Sequence, residues 1–284
     1  FIGNRASLVI SVQQTKNSKS IMTQHTKAEV LLRATDIQLT YDRPILRDIN
    51  ICIKNIIRPG LSQGQVVTLI GRSGIGKTQL FKILSGLQAP TAGKVTIHNN
   101  HPVKAGDMGV IFQNYYLFEW RTVYQSLLLA AKKNKALLGK EKQAIEKYAE
   151  QFQLTGHLNV YPPQLSGGQR QRVSIMQQLL KGSDFILLDE PFSGLDVCML
   201  DKAVELLLQV SLSDELKTLI IVSHDIETSV AISDTVFILG NEEGKAGATI
   251  KKEIDLIERD LAWQKNIKQE RRFMETIEEI KGCL

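Results

Sequence analysis

The chain predicts an α/β fold: a mostly parallel sheet covered by helices, joined to an antiparallel β piece and interrupted by an inserted helical lobe. Three observations carry that prediction. Val66–Ile70, Phe185–Asp189 and Leu219–Val222 are unbroken apolar runs, the pattern of strands buried on both faces. The first run leads directly into GRSGIGKT (Gly71–Thr78) and then a helix-like stretch, Thr78–Ser85, which is the strand–loop–helix context of a phosphate-binding loop. Between Tyr115 and Leu180 the apolar spacing becomes helical, over Ser126–Leu138, Lys140–Phe152 and Gly167–Leu180, and strand-like runs resume after it.

Taken in order, residues 1–27 are expected to lie outside the fold as a disordered or added N-terminal extension. Phe1–Ile21 is polar, Leu8-Val9-Ile10 is too short for the apolar core of a signal peptide, and Met22 is read as the start. Val30–Lys54 alternates, with Ile37, Leu39 and Tyr41 on one parity and Ile49, Ile51 and Ile53 on another after Asp42-Arg43-Pro44; two antiparallel strands follow. Asn55–Gly64 reads as a loop insertion turning at Pro59-Gly60. Lys94–Ile97 and Gly109–Phe112 are short strands around a loop whose His98 and His101 read as solvent-facing. Thr235–Leu239 closes the core. The segment 246–284 is expected to be an amphipathic helical tail, since Ile254, Ile257, Leu261, Phe273, Ile277 and Ile280 fall at helical spacings amid dense charge. The organisation predicted is thus a core of 28–114 and 182–245, a helical lobe of 115–181 and that tail.

With 284 residues, 43% hydrophobic and 23% charged, the chain has an ordinary globular composition. No run of roughly eighteen apolar residues is present, so the chain is not expected to span a bilayer by itself. A net charge of +5 comes from lysines and arginines scattered among acids. That describes either a solvated surface or a weak attraction to anionic lipid or nucleic acid, and no nucleic-acid partner is expected. Cys52, Cys198 and Cys283 are far apart and read as reduced thiols in a cytosolic compartment.

A triphosphate concentrates negative charge, so it needs converging backbone N–H donors without side-chain obstruction. Gly71, Gly74 and Gly76 permit that approach. Lys77 adds a point charge for the β- and γ-phosphates, Thr78 can give its hydroxyl to Mg²⁺, and the following helix turns its N-terminus to the anion. Asp189 and Glu190 end a parallel strand at the edge where such sheets deliver catalytic groups. Asp189 is suited to hold Mg²⁺ through its water shell. Glu190, one residue on, faces elsewhere and can polarise a water.

A second glycine-rich element narrows the class. LSGGQ (Leu165–Gln169) lies between the phosphate loop and FILLDE (Phe185–Glu190), and with it the chain resembles the nucleotide-binding subunit of an ATP-binding-cassette (ABC) transporter, from about Ala28 to near Leu284. The resemblance implies a P-loop, RecA-like ATPase core with an antiparallel β subdomain and an inserted α-helical subdomain. It implies ATP and Mg²⁺ as cofactors, and Glu190, His224 and Gln113 as catalytic groups, with His224 touching the γ-phosphate and Gln113 reaching Mg²⁺ and the attacking water. Thr78, Gln113 and Asp189 would hold the metal. Ser73 and Gln79 join Gly71, Gly74, Gly76, Lys77 and Thr78 around the nucleotide, and Tyr41 would stack on adenine or else pack on the core.

In the family two subunits meet head to tail, each LSGGQ capping the ATP of the other. Ser166, Gly168 and Gln169 would therefore serve the partner's nucleotide, and Asp196 of the Ser193–Asp196 loop would run along that interface. The partner would be a second copy or a paired second cassette. Relatives carry an arginine where Gln177 stands, often a serine or threonine in place of Gln79, and a proline near Gly182-Ser183; none of these changes removes a phosphate contact, so activity is expected to persist.

The spacer His98–Asp107, the GVIFQNYYLFEWRTV segment and VSHDIETSVAISDTVFIL look like the nitrate/taurine (sulfonate) importer branch. That implies uptake of a small solute through separate permease subunits, served by a substrate-binding protein, with the chain cytoplasmic and peripheral on the membrane's inner face. Tyr116, Leu117, Phe118 and Trp120 would anchor the permease or fill a lobe–lobe contact. Nitrate, sulfonates, bicarbonate and heterocyclic vitamin precursors all remain open as solutes. A soluble ABC ATPase without a transport role is the competing reading.

Overall fold

The computed structural model describes residues 25–57, 64–98, 100–193, 197–211, 217–262 and 267–284. The predicted extension lies outside the described residues up to residue 24, but Thr26 and Lys27 at its end are strand; of the expected Asn55–Gly64 loop, residues 58–63 lie outside the described residues and Asn55–Ile57 continue a strand. In chain order the elements begin with β1 (Thr26–Thr40), β2 (Pro44–Ile57), β3 (Gln65–Ile70), α1 (Lys77–Leu84), β4 (Ala92–Ile97), β5 (His101–Pro102) and β6 (Gly109–Ile111). The inserted segment supplies α2 (Val123–Ala131), α3 (Glu141–Gln151) and α4 (Gly167–Lys181). After it come β7 (Phe185–Asp189), α5 (Val197–Ser211), β8 (Thr218–Ser223), α6 (Ile226–Ile232), β9 (Thr235–Asn241), β10 (Ala248–Asp255) and α7 (Arg271–Cys283).

Alternation over Val30–Lys54 becomes an antiparallel pair in which Ile37 faces Ile49 and Ala34 faces Ile51. Pro44 opens β2, a place where its missing N–H costs no ladder bond. The continuous apolar runs become parallel strands: every residue of β3, β7 and β8 is buried. Among the described residues the ten strands form one sheet, ordered β5-β4-β1-β2-β10-β9-β3-β8-β7-β6. Successive residues of β7 feed opposite faces. Ile186 and Leu188 join a cluster with Val123, Leu127, Phe152 and Met176 of the helical lobe, whereas Phe185 and Leu187 join one with Leu80 and Phe81 of α1 and the apolar side of β1–β2. A third cluster packs Val230 of α6 and Phe273, Ile277 and Ile280 of α7 on Val236 and Ile238 of β9.

Several elements differ from the sequence expectation. The helix expected over Ser126–Leu138 starts at Val123, because Thr122 Oγ1 accepts from the Gln125 N–H at 3.2 Å while Gln125 Oε1 accepts from the Thr122 N–H at 3.0 Å, a reciprocal capping box. It ends at Ala131. Asn134 then accepts from the Ala136 N–H at 3.0 Å and donates to the Leu180 carbonyl at 3.1 Å, side-chain bonds that compete with a continuing helix. The Cβ of any residue but glycine at position 182 would lie 2.8 Å from Asn134 Nδ2, and Gly182 ends α4 at φ 80°; the absent proline is thus replaced by a left-handed helix stop.

The tail is the second correction. Residues 248–255 are not helical: β10 pairs antiparallel with β9, Ile254 opposite Val236, so an open strand edge outweighed the helical spacing of Ile254, Ile257 and Leu261. Only α7 is helical. His101 likewise lies on a strand, β5, rather than in a loop. Cys52 and Cys283 are half-buried free thiols, and the Cys198 side chain lies outside the described residues. No helix among the described residues is long and apolar enough to cross a membrane.

An ion cluster pins α7 to β10. Glu279 accepts from both terminal nitrogens of Arg259, at 2.6 and 3.0 Å, and pairs with Lys252; Arg259 also donates to Thr276 Oγ1 at 3.1 Å. These hydrogen bonds, Arg259's first, hold the Glu279 carboxyl down at about 2 against an ordinary 4.5. A carboxyl depressed in the folded state contributes stability above its unfolded value, and loses it as pH falls toward the folded one. The cluster is partly exposed, so solvent screening limits its worth to about 1 kcal/mol. Glu279→Gln is expected to lower Tm by about 2 °C at neutral pH, with the gap to the parent closing as pH drops from about 4.5 toward 2; thermal unfolding against pH checks it.

Candidate active site

Parallel register brings the motif residues to one edge. Ile70 of β3 faces Ser223 of β8, Val222 faces Asp189 of β7, and Leu188 faces Ile111 of β6. The residues that follow, Gly71, His224, Glu190 and Phe112-Gln113, therefore leave the sheet on the same side. Gly76 caps α1 at φ 112°, with no side chain bonded to the helix's first N–H groups. That arrangement fits a phosphate. Ser73 and Gly74 are exposed beside it. Lys77 is buried; its Nζ donates to the Gly71 and Arg72 carbonyls at 2.9 and 3.2 Å and lies 3.4 Å from Glu190 Oε1.

Thr78 Oγ1 donates to Asp189 Oδ2 at 3.4 Å, and Asp189 Oδ1 is buried with no hydrogen-bond partner among the described residues. Burial raises the Asp189 carboxyl above its ordinary value; Glu190 adds to the rise, while Thr78, Lys77 and Lys82 oppose it. An unsatisfied buried carboxylate oxygen beside a hydroxyl is a donor set suited to a hard cation, so the residues fit Mg²⁺.

Glu190 sits at φ 48°, a left-handed conformation that costs a non-glycine residue about 1–3 kcal/mol. Its surroundings hold it there. Its N–H donates to the Val222 carbonyl at 2.8 Å, and its carbonyl accepts from the Ser193 N–H at 3.2 Å. Oε2 accepts from the His224 main-chain N–H at 3.3 Å and lies 2.7 Å from His224 Nδ1. An ionised carboxylate only accepts, so Nδ1 carries the proton in that contact. Gln113 Nε2 donates to Ser193 Oγ at 3.2 Å.

Tyr41 is 57% exposed and so is not packed in the core. Its hydroxyl donates to Gln79 Oε1 at 3.3 Å and accepts from Gln88 Nε2 at 2.7 Å; Gln79, a departure from the family pattern, thereby positions the ring. Ser166 caps α4, its Oγ accepting from the Gln169 N–H at 3.3 Å while Gln169 Oε1 accepts from the Ser166 N–H at 2.8 Å. Gln169 Nε2 also contacts His157 Nε2 at 2.9 Å. Among the described residues neither Ser166 nor Gln169 bonds to the Gly71–Thr78 loop. Gly168 lies in the first turn of α4, and Asp196 lies outside the described residues.

Sequence reasoning missed two groups. The Pro191 carbonyl, immediately after Glu190, accepts from Tyr115 Oη at 3.2 Å and from Gln171 Nε2 at 3.2 Å. Neither residue carries a motif signal of its own.

Residues 55–193 match the family described as ABC transporter. The chain is 36% identical over 195 residues to YtlC, an uncharacterised ABC transporter ATP-binding protein of Bacillus subtilis, covering 68% of this chain and 75% of that one. It is 31% identical to the taurine import ATP-binding protein TauB of Pelagibacter ubique, covering 83% and 85%. The chain belongs to the ABC transporter ATP-binding proteins. A further relative of this cassette is the nitrate import ATP-binding protein NrtD of Synechocystis, 30% identical over 82% of this chain and 88% of that one. The fold agrees with the dimeric post-hydrolysis structure of the cassette MJ0796 bound to ADP and Pi, at TM-score 0.63 and 24% identity, covering 80% of this chain and 99% of that one.

Gly76 tests the phosphate cradle. A Cβ there would lie 3.1 Å from Leu46 Cδ2 and 3.2 Å from Ile45 Cγ2, on a backbone at φ 112°. Gly76→Ala is expected to weaken ATP binding by about tenfold or more as the loop shifts, measured by titration with a fluorescent nucleotide.

Proposed function

We propose that this cassette powers import of a small solute by hydrolysing ATP at the edge formed by β3, β8, β7 and β6. It binds and hydrolyses ATP. The observation that carries the reading is the Glu190–His224 pair standing next to Lys77 and the unsatisfied Asp189 oxygen, at the mouth of the phosphate loop. Gly71–Thr78 would cradle the triphosphate, Lys77 turning to its β- and γ-oxygens. Glu190 orients the attacking water and takes its proton as the bond from the γ-phosphorus to the bridging oxygen breaks, leaving ADP and phosphate. His224, already bonded to that carboxylate, keeps it aimed and reaches the γ-phosphate.

Thr78, Gln113 and Asp189 would hold Mg²⁺, which when bound neutralises charge on the phosphate oxygens. Tyr41, set by Gln79 and Gln88, would stack on the base. Among the described residues Ser166 and Gln169 make no bond to the chain's own phosphate loop, and this supports a head-to-tail pair in which Ser166, Gly168 and Gln169, at the N-terminus of α4 of each copy, face the other's nucleotide. Asp196 would lie along the same interface.

Tyr116, Phe118 and Trp120 are 71%, 42% and 73% exposed, which favours permease docking over a buried lobe–lobe contact. Trp120 also borders a groove with Arg121, Leu128 and Leu129. Membrane subunits docked there would place the cassette on the cytoplasmic face, with a substrate-binding protein opposite. TauB and NrtD are named for taurine and nitrate; both solutes carry a compact oxyanion, and a solute of that kind is the reading for this chain.

Glu190→Gln keeps the side chain's shape but cannot take a proton. It should lower ATP turnover by about a hundredfold or more while ATP binding persists, and should accumulate as an ATP-bound dimer in size-exclusion chromatography. Turnover near the parent's would refute the assignment.

A further inference from the structure

The strained turn after β7 is held from one further side. Glu190 must keep a left-handed backbone, and Pro191, the next residue, offers no N–H to help fix it. What the turn does offer is the Pro191 carbonyl, which takes one hydrogen bond from Tyr115 Oη and one from Gln171 Nε2, each 3.2 Å long. These donors come from different elements. Tyr115 follows β6 by a few residues and is itself left-handed, at φ 46°, closing a turn through its N–H to the Phe112 carbonyl at 2.9 Å. Gln171 is buried on α4, the helix that Ser166 caps.

We infer that Tyr115 and Gln171 form a clamp on the Pro191 carbonyl that positions Glu190 for water activation, tying the carboxylate to both the Gln113 segment and the signature helix. The clamp is suited to that task. Tyr115 packs against the helical-lobe cluster, which holds its ring, and with it the hydroxyl, in place against the turn. Gln171 is 3% exposed, so water does not readily replace its amide. Two residues before Tyr115, Gln113 bonds to Ser193; the same segment thus grips the turn 190–193 at two points. Neither clamp residue touches nucleotide in this reading, so both are positioning residues. A carbonyl oxygen has two lone pairs, and loss of one donor leaves the other in place.

The inference rests on Glu190 being the group that activates water, and the experiment separates the two claims. Steady-state ATPase kinetics, nucleotide binding and Tm are measured for Tyr115→Phe, Gln171→Leu, the double variant and Glu190→Gln. Each single change should lower kcat by about three- to tenfold, and the double by more than the product of the two, with ATP affinity within about twofold of the parent throughout. A packing role alone would lower Tm and affinity together instead of splitting kcat from KM. If Glu190→Gln abolishes turnover while the double variant keeps the parent's kcat, the clamp is refuted and the site assignment stands. If the double variant loses affinity and Tm in step with kcat, the clamp is likewise refuted. If Glu190→Gln turns over normally, both claims fall.

Discussion

Everything at the site depends on parallel strands ending together. Backbone hydrogen bonds fix β3 against β8, β8 against β7 and β7 against β6 in a register that leaves the ends within a residue of one another. A one-residue slip would exchange the two faces of a strand, sending Ile186 and Leu188 away from the helical lobe and Phe185 and Leu187 away from α1. The packing of two apolar clusters and the alignment of four loops are therefore one requirement. Full burial of β3, β7 and β8 makes the register costly to change, and a stable ladder makes a strained Glu190 tolerable.

Charge is arranged around that edge with little slack. Lys77 stands between the main chain of its own loop and Glu190, and Asp189 keeps one oxygen unsatisfied in a buried place. Both are conditions that a bound phosphate and cation relieve. The groups that hold the turn at Glu190 come from β8, from the turn after it, from the Gln113–Tyr115 segment and from α4, so Glu190 is joined to the helical lobe through its backbone, while its own side chain meets Lys77 and His224.

Much of this was legible in the residues. Uninterrupted apolar strands, alternation in the hairpin and the glycine-lysine-threonine loop have strong local signatures, and the order of motifs singled out Gln113, Glu190 and His224, which strand register brings to one edge. The rest depended on contacts distant in sequence. Ile254 and its neighbours satisfy helical spacing, but the open edge of β9 turned them into a strand, which no local pattern encodes. Ala131 ends its helix because Asn134 finds Leu180 across the lobe. Tyr115 and Gln171 were silent because a hydrogen bond to a main-chain carbonyl leaves no trace in the partner's identity. Asp196 was singled out by its motif but falls outside the described residues.

β2 meets β10 through a single register pair, Ala248 with Leu46, although Ile49 and Ile51 of the hairpin share an apolar cluster with Leu69 and Phe237 of the core. The wing bearing Tyr41 is thus bound to the rest by side chains more than by ladder bonds, through apolar packing and the ion pairs of Lys27 with Asp255 at 2.6 Å and Arg47 with Glu242 at 2.8 Å. The base end of a nucleotide would then rest on a wing held by side chains, while its phosphate end meets strands joined along their whole length by backbone hydrogen bonds.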